Sequence, residues 1–487
     1  MGRGHLRAAG AMVALLGCTA EAQAVVPVRF SPGQVLLALL PYLLGGLLAL
    51  GLGGALAWYG GRALTALLRA RGFRRPRLIV LGAGLLLLAS VGGGLGFVFV
   101  RPATDAADLP PASSGPDDLW STFMADAART GGLRGARGPK EGRKAWTFRD
   151  GLSRAPFGAS AAVVAGRVYV GSDNRRLYCL DARTGLGIWE FKAAFEIFAS
   201  PVVADGRVYL GEGLHTAKDA RLYCLDADTG KPVWELPTTS HIEFSPTLFG
   251  GRLYLAAGED GVYCVDPRDG RLVWRYEGVH VDMSPSVTDG GVFFGSVYGS
   301  PAFYALDPQS GALRWKRAAP LGVSGSPSTD GERVCFGLGN GTFEASHAQP
   351  RGAVVCLAAD GRTLWQRDVP DAVLTTVALA DGAAYFGCRD GRVYGVDAAT
   401  GEVRWSFATQ DAVVSSPAVA GGRVYFGSND GNIYGVEART GAKIWSYDTS
   451  HEAFNTDARV MASPAISDGR LYVGSMNFCF FSLGDGP

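Results

Sequence analysis

Short runs of alternating apolar and polar residues recur from residue 121 to the end of the chain. A clear example is residues 416–447, with the sequence SPAVAGGRVYFGSNDGNIYGVEARTGAKIWSY. Its β-forming runs are separated by Gly-Gly, Asn-Asp-Gly and Thr-Gly, which favour tight turns. Turns this short join antiparallel neighbours, because parallel strands need long crossover connections. The segment therefore predicts a four-stranded antiparallel sheet.

The same unit recurs with one tryptophan in each copy, four residues after a glycine. These tryptophans are Trp146, Trp189, Trp234, Trp274, Trp315, Trp365, Trp405 and Trp445. Repeated sheets of about 40–50 residues are typical of propeller blades, since stacking them around an axis buries faces that one sheet leaves exposed. The sequence therefore predicts an all-β fold, an eight-bladed β-propeller of four-stranded antiparallel blades whose indole rings dock neighbouring blades.

The order of the strands predicts how the ring closes. Inner strands open at a Ser-Pro type of position, and these positions are Ser160, Ser200, Ser245, Ser284, Ser326, Thr376, Ser416 and Ser463. Trp146 precedes the first of them, and no tryptophan follows the last. Residues 143–149 should therefore supply the outer strand of the blade formed by residues 463–484, within a propeller that occupies residues 121–487.

Two long apolar segments precede this propeller. Residues 35–59 and 78–100 contain no charged side chain, and each is longer than the about 20 residues that cross a bilayer core. They predict an α-helical transmembrane hairpin within residues 25–101. The loop at residues 60–77 carries arginines and no acid, so it should stay cytoplasmic. This orientation places the propeller on the periplasmic side of a bacterial cytoplasmic (inner) membrane.

The first 24 residues have the features of a secretory signal. A basic start and a short apolar stretch lead to Ala22-Gln23-Ala24, a small-residue cleavage site. Leu15-Leu16-Gly17-Cys18 also resembles a lipoprotein signal. Three outcomes stay open: cleavage after Ala24, lipidation of Cys18, or retention. Residues 102–120 are rich in Pro, Ala, Ser and Asp and are predicted to be a linker.

Composition narrows the class of partner. The formal net charge is only +1, which argues against a nucleic-acid footprint, and 47% hydrophobic residues exclude disorder of the whole chain. Four of the eight cysteines occupy one position of the repeat and are expected to be small buried side chains. They are Cys179, Cys224, Cys264 and Cys356.

The block D-A-x-T-G-x-x-x-W, found at residues 181–189, 226–234 and 397–405, resembles the tryptophan-docking repeat of pyrroloquinoline-quinone (PQQ)-like β-propellers. The segment from Trp120 to Gly131 is similar to the segment that precedes the repeats in that family. The family contains quinoprotein dehydrogenases and non-catalytic scaffolds of outer-membrane assembly. The resemblance therefore implies the fold and leaves the function open.

Three functions are compatible with this resemblance. The favoured one is a membrane-anchored, non-catalytic scaffold without a cofactor, whose partners are envelope proteins or peptides. The second is a membrane-bound quinoprotein dehydrogenase with PQQ and Ca²⁺, and the third is a ligand-binding or sensor ectodomain. The chain has no two adjacent cysteines and no C-x-x-C-H haem motif, features found in many of the dehydrogenases, and no catalytic residue is assigned.

One polar cluster is predicted at the mouth of the central channel. Residues two and four before the opening Ser-Pro should share one face of the inner strand, because strands have a period of two. In the second to fourth blades these residues are Glu196, His241, Glu243, His280 and Asp282. They form a candidate site for a cation or a basic peptide, or only a solvated rim, and no metal is assigned. His215, His347 and His451 are expected to be solvated loop residues.

Overall fold

A computed structural model describes residues 120–132, 135–151, 153–452 and 457–486. The predicted signal segment, the hairpin at residues 35–59 and 78–100, and the linker up to residue 119 lie outside the described residues. Within the described ranges, no helix has the length and apolar character needed to cross a membrane.

The described residues form eight antiparallel sheets, as the repeat predicts. The first four blades contain β2 (Ala162–Val164), β3 (Arg167–Ser172), β4 (Arg176–Asp181) and β5 (Gly187–Lys192); β6 (Val202–Ala204), β7 (Arg207–Gly211), β8 (Arg221–Asp226) and β9 (Pro232–Pro237); β10 (Thr247–Phe249), β11 (Arg252–Ala256), β12 (Val262–Val265) and β13 (Leu272–Tyr276); and β14 (Ser286–Thr288), β15 (Gly291–Gly295), β16 (Ala302–Leu306) and β17 (Leu313–Ala318).

The other four blades follow the same plan, except that the fifth has five strands and not the predicted four, because its inner strand is divided into two short strands that both pair with the second strand. They contain β18 (Gly322–Val323), β19 (Ser328–Thr329), β20 (Arg333–Gly339), β21 (Gly352–Ala358) and β22 (Thr363–Val369); β23 (Ala378–Ala380), β24 (Ala383–Cys388), β25 (Arg392–Asp397) and β26 (Val403–Ala408); β27 (Ala418–Ala420), β28 (Arg423–Gly427), β29 (Asn432–Glu437) and β30 (Lys443–Asp448); and β31 (Ala465–Ser467), β32 (Arg470–Gly474), β33 (Phe480–Gly484) and β1 (Arg143–Phe148). A 3₁₀ helix at Ser450–Glu452 precedes β31.

The first strand in the chain is the outer strand of the last blade. β1 pairs antiparallel with β33, with Trp146 opposite Ser482 and Phe148 opposite Phe480. The order in this sheet is therefore β1-β33-β32-β31. Since both ends of the repeat region belong to one sheet, the ring cannot open without breaking that sheet.

Each of the eight tryptophans contacts the next blade. The indole N–H groups donate to backbone carbonyls across the blade boundary, for example from Trp365 to Ala398 at 2.9 Å and from Trp405 to Ala438 at 2.9 Å. Trp445 donates to the carbonyl of Pro139, in the segment that leads into β1, at 3.4 Å. The docking therefore continues across the point where the ring closes.

These contacts explain the glycine four residues before each tryptophan. Gly401 has a φ of +72°, and a Cβ there would lie 2.5 Å from the indole of Trp365 in the preceding blade. Gly441 stands in the same relation to Trp405. Glycine is required because the turn needs a left-handed backbone and the indole lies directly against it.

Hydrogen bonds between neighbouring opening residues also run along the channel wall, except from Ser326 to Thr376. The backbone N–H of Ser160 donates to the hydroxyl of Ser200 at 3.1 Å, and Ser200 donates in the same way to Ser245. Ser463 donates back to the hydroxyl of Ser160 at 3.0 Å. The opening serines thus act as both donor and acceptor between neighbouring inner strands, which explains a polar side chain at a buried position.

One end of the channel is covered by residues 120–132. Their carbonyls accept hydrogen bonds from the middle of inner strands in several blades, including Val163 to Trp120 at 2.7 Å, Val287 to Ala127 at 2.9 Å and Val419 to Gly131 at 2.7 Å. An inner strand has unpaired N–H groups along its free edge, and the lead-in segment satisfies them. We call this the closed end.

Arg129 extends these contacts to the third blade. Its side chain is 0% exposed and donates to the carbonyls of Ser245 and Pro285 at 3.0 Å, and to the hydroxyl of Thr247. It also donates to the carbonyl of Phe123 at 3.2 Å. A buried guanidinium is satisfied here by backbone acceptors of two blades.

The fifth blade contains a disulfide bond between Cys335 and Cys356. These residues are directly opposite each other on β20 and β21. Cys356, like Cys179, Cys224 and Cys264, is the small buried residue that the repeat predicts, but it is paired, whereas those three are free. Cys335 stands on the neighbouring strand of the same blade, so the pairing follows from hairpin register and not from the position in the repeat.

Candidate functional site

The connections at the other end of the channel form its mouth. In an antiparallel blade, the hairpin between the second and third strands lies at the same end as the connection into the next blade. The two larger insertions, at residues 212–220 and 340–351, both lie in such hairpins, between β7 and β8 and between β20 and β21. The mouth therefore combines these loops with the residues that precede each opening serine.

The structure brings His241, His280 and Asp282 together at the mouth. His241 Nε2 and His280 Nε2 each lie 2.9 Å from Asp282 Oδ1. Both segments enter an inner strand, His241 before β10 and His280 before β14, which explains how residues 41 positions apart meet. His241 is 2% exposed and Asp282 is 7% exposed.

His215 completes this cluster, although we expected it to be a solvated loop residue. Its Nδ1 lies 2.5 Å from Glu243 Oε2, and its Nε2 lies 3.2 Å from Asp282 Oδ2. Its ring stacks on that of His241, with centroids 5.0 Å apart. The loop at residues 212–220 places it there, since that hairpin lies at the mouth. We define the imidazole cluster as His215, His241, Glu243, His280 and Asp282.

Several carboxylates at this site have buried oxygens that accept no hydrogen bond. They are Asp282 Oδ2, Glu243 Oε2 and Asp173 Oδ1. The ring nitrogens of His215 lie close to the first two without the alignment of a hydrogen bond. Glu196, the fifth predicted site residue, lies outside the imidazole cluster; its charge and that of Glu243 act on Asp173. This side of the mouth therefore concentrates negative charge in a partly desolvated setting.

The charges shift the pKa values of these groups. Burial raises the pKa of Asp173 to about 6, and the nearby Glu196 and Glu243 act in the same direction. Contacts with Asp282 and then Glu243 raise the pKa of His215 to about 10. Burial alone would raise the pKa of Asp282, but His215, His241 and His280 hold it well below the usual range. The cluster is therefore organised around one shared carboxylate.

The opposite side of the mouth is apolar. Two residues before their opening positions stand Leu374, Val414 and Met461, where the third and fourth blades have Glu243 and Asp282. Phe343, from the insertion at residues 340–351, packs against this group. The mouth thus has an acidic, imidazole-rich arc over the second to fourth blades and an apolar arc over the fifth to eighth.

The insertion at residues 340–351 is held over the apolar arc. Arg389 donates to the carbonyl of Phe343 at 3.0 Å, and Ser346 donates to Asp371. Glu344 pairs with Arg459 of the connection into the last blade at 3.1 Å. These contacts join three blades across the mouth and fix the position of Phe343.

Four of the five predicted site residues meet in the imidazole cluster, namely His241, Glu243, His280 and Asp282. Sequence reasoning missed His215, although hairpin topology could have found it: the insertion lies between the second and third strands, and such loops share the end at which inner strands begin. His347 and His451 are exposed, and they contact Gln349 and Asp448 of their own loops.

The cluster can hold a cation or a basic group. One ligand atom each from His215, His241 and Asp282 lies within 4.8 Å of the others. Imidazole and carboxylate together suit first-row divalent metals. The acidic arc also suits a positively charged segment of a partner, next to an apolar arc for its neighbouring side chains.

The chain matches a protein family along its propeller. The family model described as outer membrane protein assembly factor BamB matches residues 131–213, 211–341 and 350–483. These segments make up more than half of the chain, and they confirm the resemblance to PQQ-like propellers. The BamB of Salmonella typhimurium is 28% identical over 292 residues, which cover 56% of this chain and 71% of that protein.

Solved structures show the same fold at lower identity. BamB from Moraxella catarrhalis is similar with a TM-score of 0.55 at 19% identity, covering 70% of this chain and 97% of that one. The quinohemoprotein alcohol dehydrogenase from Comamonas testosteroni has a TM-score of 0.59 at 16% identity, covering 77% and 81%. Since an outer membrane protein assembly factor and an alcohol dehydrogenase share the architecture, the site must decide the function.

Proposed function

Because the chain belongs to the family of the outer membrane protein assembly factor BamB, we propose that it is a non-catalytic scaffold for outer-membrane protein assembly. It binds envelope proteins or peptides at the mouth of the propeller. The observation that carries this proposal is the family match along the ring from residue 131 to residue 483. The two-sided mouth is the surface that such a scaffold would present.

The form of the mouth supports a peptide-like partner. The closed end is covered by residues 120–132 of the chain itself, so the channel is accessible from the mouth. There, Glu243 lines the same cavity as Leu374 and Phe343 of the apolar arc. An extended segment with alternating basic and apolar side chains would meet both arcs. Tyr298, 54% exposed beside His280, adds an aromatic contact at the rim.

The residues at the mouth do not fit PQQ. This cofactor carries three carboxylates, and the polar arc places Asp173, Glu243 and Asp282 where a cationic cradle would be needed. The side chains of Leu374, Val414, Met461 and Phe343 in the apolar arc carry no donor for the remaining carboxylates. We therefore propose that the propeller works without PQQ and Ca²⁺.

We further propose that the hairpin at residues 35–59 and 78–100 holds the propeller at the periplasmic face of the inner membrane. Two uncharged segments and an arginine-rich loop between them support this proposal. Density-gradient separation of inner and outer membranes tests it. Recovery of the chain with the outer membrane, or protection of the propeller from protease in spheroplasts, would refute it.

Site-specific photocrosslinking in intact cells tests the scaffold. A photoreactive phenylalanine derivative replaces Tyr298 or Phe343 at the mouth, and matched control positions are Leu186 and Ile444, exposed elsewhere on the propeller. We expect mouth positions to capture outer membrane proteins or subunits that assemble them, and the control positions to capture neither. Equal capture at all four positions would contradict the assignment of the mouth.

Deletion of the gene, complementation with variants and an activity assay distinguish a scaffold from an enzyme. Deletion of the gene should lower the level of assembled outer membrane proteins, and the wild-type chain should restore it. A Tyr298→Ala/Phe343→Ser variant should restore it poorly, whereas Leu186→Ala should restore it fully. Dye reduction by the purified chain with PQQ, Ca²⁺ and an alcohol or sugar would overturn the non-catalytic assignment.

A further inference from the structure

We propose that His215, His241 and Asp282 form a zinc site at the mouth of the propeller. The ligands are His215 Nε2, His241 Nε2 and the Asp282 carboxylate. They come from the loop at residues 212–220 and from the connections into the third and fourth blades. This inference concerns metal binding and does not depend on the scaffold function.

The distances between the candidate ligand atoms fit one small cation. His241 Nε2 lies 2.9 Å from Asp282 Oδ1, and His215 Nε2 lies 3.2 Å from Asp282 Oδ2. Ligand atoms of a tetrahedral zinc ion with bonds of about 2.0–2.2 Å are about 3.4 Å apart. Small side-chain rotations are therefore enough to place an ion between them.

A second observation points to a cation at this place. Asp282 Oδ2 and Glu243 Oε2 are buried, and their ion pairs with His215 lack the alignment of a hydrogen bond. Buried carboxylate oxygens are costly unless a donor or a metal satisfies them. A divalent ion would satisfy Asp282 directly and would also offset the negative charge that Asp173 and Glu196 add nearby.

The outer contacts of the imidazoles are those of metal-binding histidines. Glu243 Oε2 lies 2.5 Å from His215 Nδ1, on the side of the ring away from Nε2. Ser240 Oγ lies 3.3 Å from His241 Nδ1. A partner at one ring nitrogen fixes the orientation of the ring and leaves the other nitrogen for the metal. Glu243 is therefore a positioning residue for His215.

The ligand set selects the metal. Two imidazoles and one carboxylate suit zinc and its neighbours in the first transition row, whereas calcium and magnesium prefer all-oxygen sites. Three protein ligands leave one coordination position open. His280, whose Nε2 lies 2.9 Å from Asp282 Oδ1, is a candidate for that position, and the three ligands would join three blades.

The test uses the full-length, tag-free chain in detergent, stripped with chelator and titrated with Zn²⁺ against a colorimetric competitor. We expect one tight equivalent per chain. His215→Gln and Asp282→Asn should weaken binding by at least about 100-fold, and Glu243→Gln by about 10–100-fold, as is usual for an outer contact. His347→Gln and His451→Gln change exposed histidines outside the cluster and should bind like the wild type.

Two further readouts do not depend on the folding of one variant. Zn²⁺ should raise the Tm of the wild type and of His347→Gln but not that of His215→Gln, whose side chain is half exposed and tolerates replacement. Co²⁺ should give the intense visible absorption of a four-coordinate site in the wild type and in His347→Gln but not in His215→Gln. Absence of stoichiometric Zn²⁺ binding, or equal affinity in wild type and His215→Gln, would overturn the proposal.

Discussion

The two ends of the channel are built from the same repeated strands but differ in what occupies them. At the closed end, carbonyls of residues 120–132 contact backbone N–H groups that recur in several blades. At the mouth, the residue two positions before the opening residue of the inner strand is Glu243 in the third blade and Leu374 in the sixth. The closed end therefore uses backbone groups that every blade has, and the mouth uses side chains that differ between blades. The closed end therefore stabilises the fold, and the mouth carries the side-chain differences on which the proposed binding depends.

The largest effect is expected from breaking the closed end at Arg129. Arg129→Ala removes charge-assisted donors from buried carbonyls of Ser245 and Pro285 and should lower the free energy of unfolding by about 3–5 kcal/mol. Thermal unfolding followed by tryptophan fluorescence measures it. Arg439→Ala, at an exposed turn, is the control and should leave Tm unchanged. Equal stability of the two variants would show that the lead-in segment does not support the ring.

A smaller loss is expected from the docking glycines. Gly401→Ala places a methyl group 2.5 Å from the indole of Trp365 and strains a φ of +72°, so we expect a loss of about 2–4 kcal/mol. Gly422 has a φ of +73°, and a Cβ added there would meet nothing within 4 Å, so Gly422→Ala should cost only the backbone strain, about 1 kcal/mol. Urea unfolding of both variants separates the two terms.

If Gly422→Ala proved as costly as Gly401→Ala, close docking of the indole would contribute little, and the glycines would be needed for turn geometry alone.

The affinity for Zn²⁺ at the mouth tests whether these changes affect the other end of the channel. Neither glycine lies in the imidazole cluster, so the Zn²⁺ affinity of each folded variant should equal that of the wild type. A change in affinity would mean that the two ends of the channel are coupled.

The fold was accessible from the sequence because it depends on periodic features. The spacing of Gly401 and Trp405 recurs in every repeat, since each glycine must accept the indole of the preceding blade. The disulfide between Cys335 and Cys356 was missed because it breaks the period: it joins neighbouring strands of one blade. A feature that occurs once has no repeat to reveal it.

The candidate site could be predicted only in part, because only some of its residues follow the repeat. His241 and Asp282 stand at fixed offsets from opening serines, so strand periodicity brought them to one rim. His215 stands at no repeated offset, and its place in the cluster depends on the path of a single loop. The contacts of residues 120–132 could not be predicted either, because strand patterns do not specify which irregular segment will pair with a free strand edge.

The smallest effect is expected from acid titration of the turns at the closed end. The hydrogen bond from Arg404, with the N–H groups of Thr400 and Ala399, lowers the pKa of Asp397 from 3.8 to about 2. The ionised form is therefore favoured in the folded chain, and its stabilisation is present above pH 3.8 and lost as the pH falls towards 2. Asp397→Asn should make Tm less dependent on pH in this window, whereas the exposed Glu402→Gln should keep the wild-type slope. An unchanged slope in Asp397→Asn would show that this turn contributes nothing to acid sensitivity.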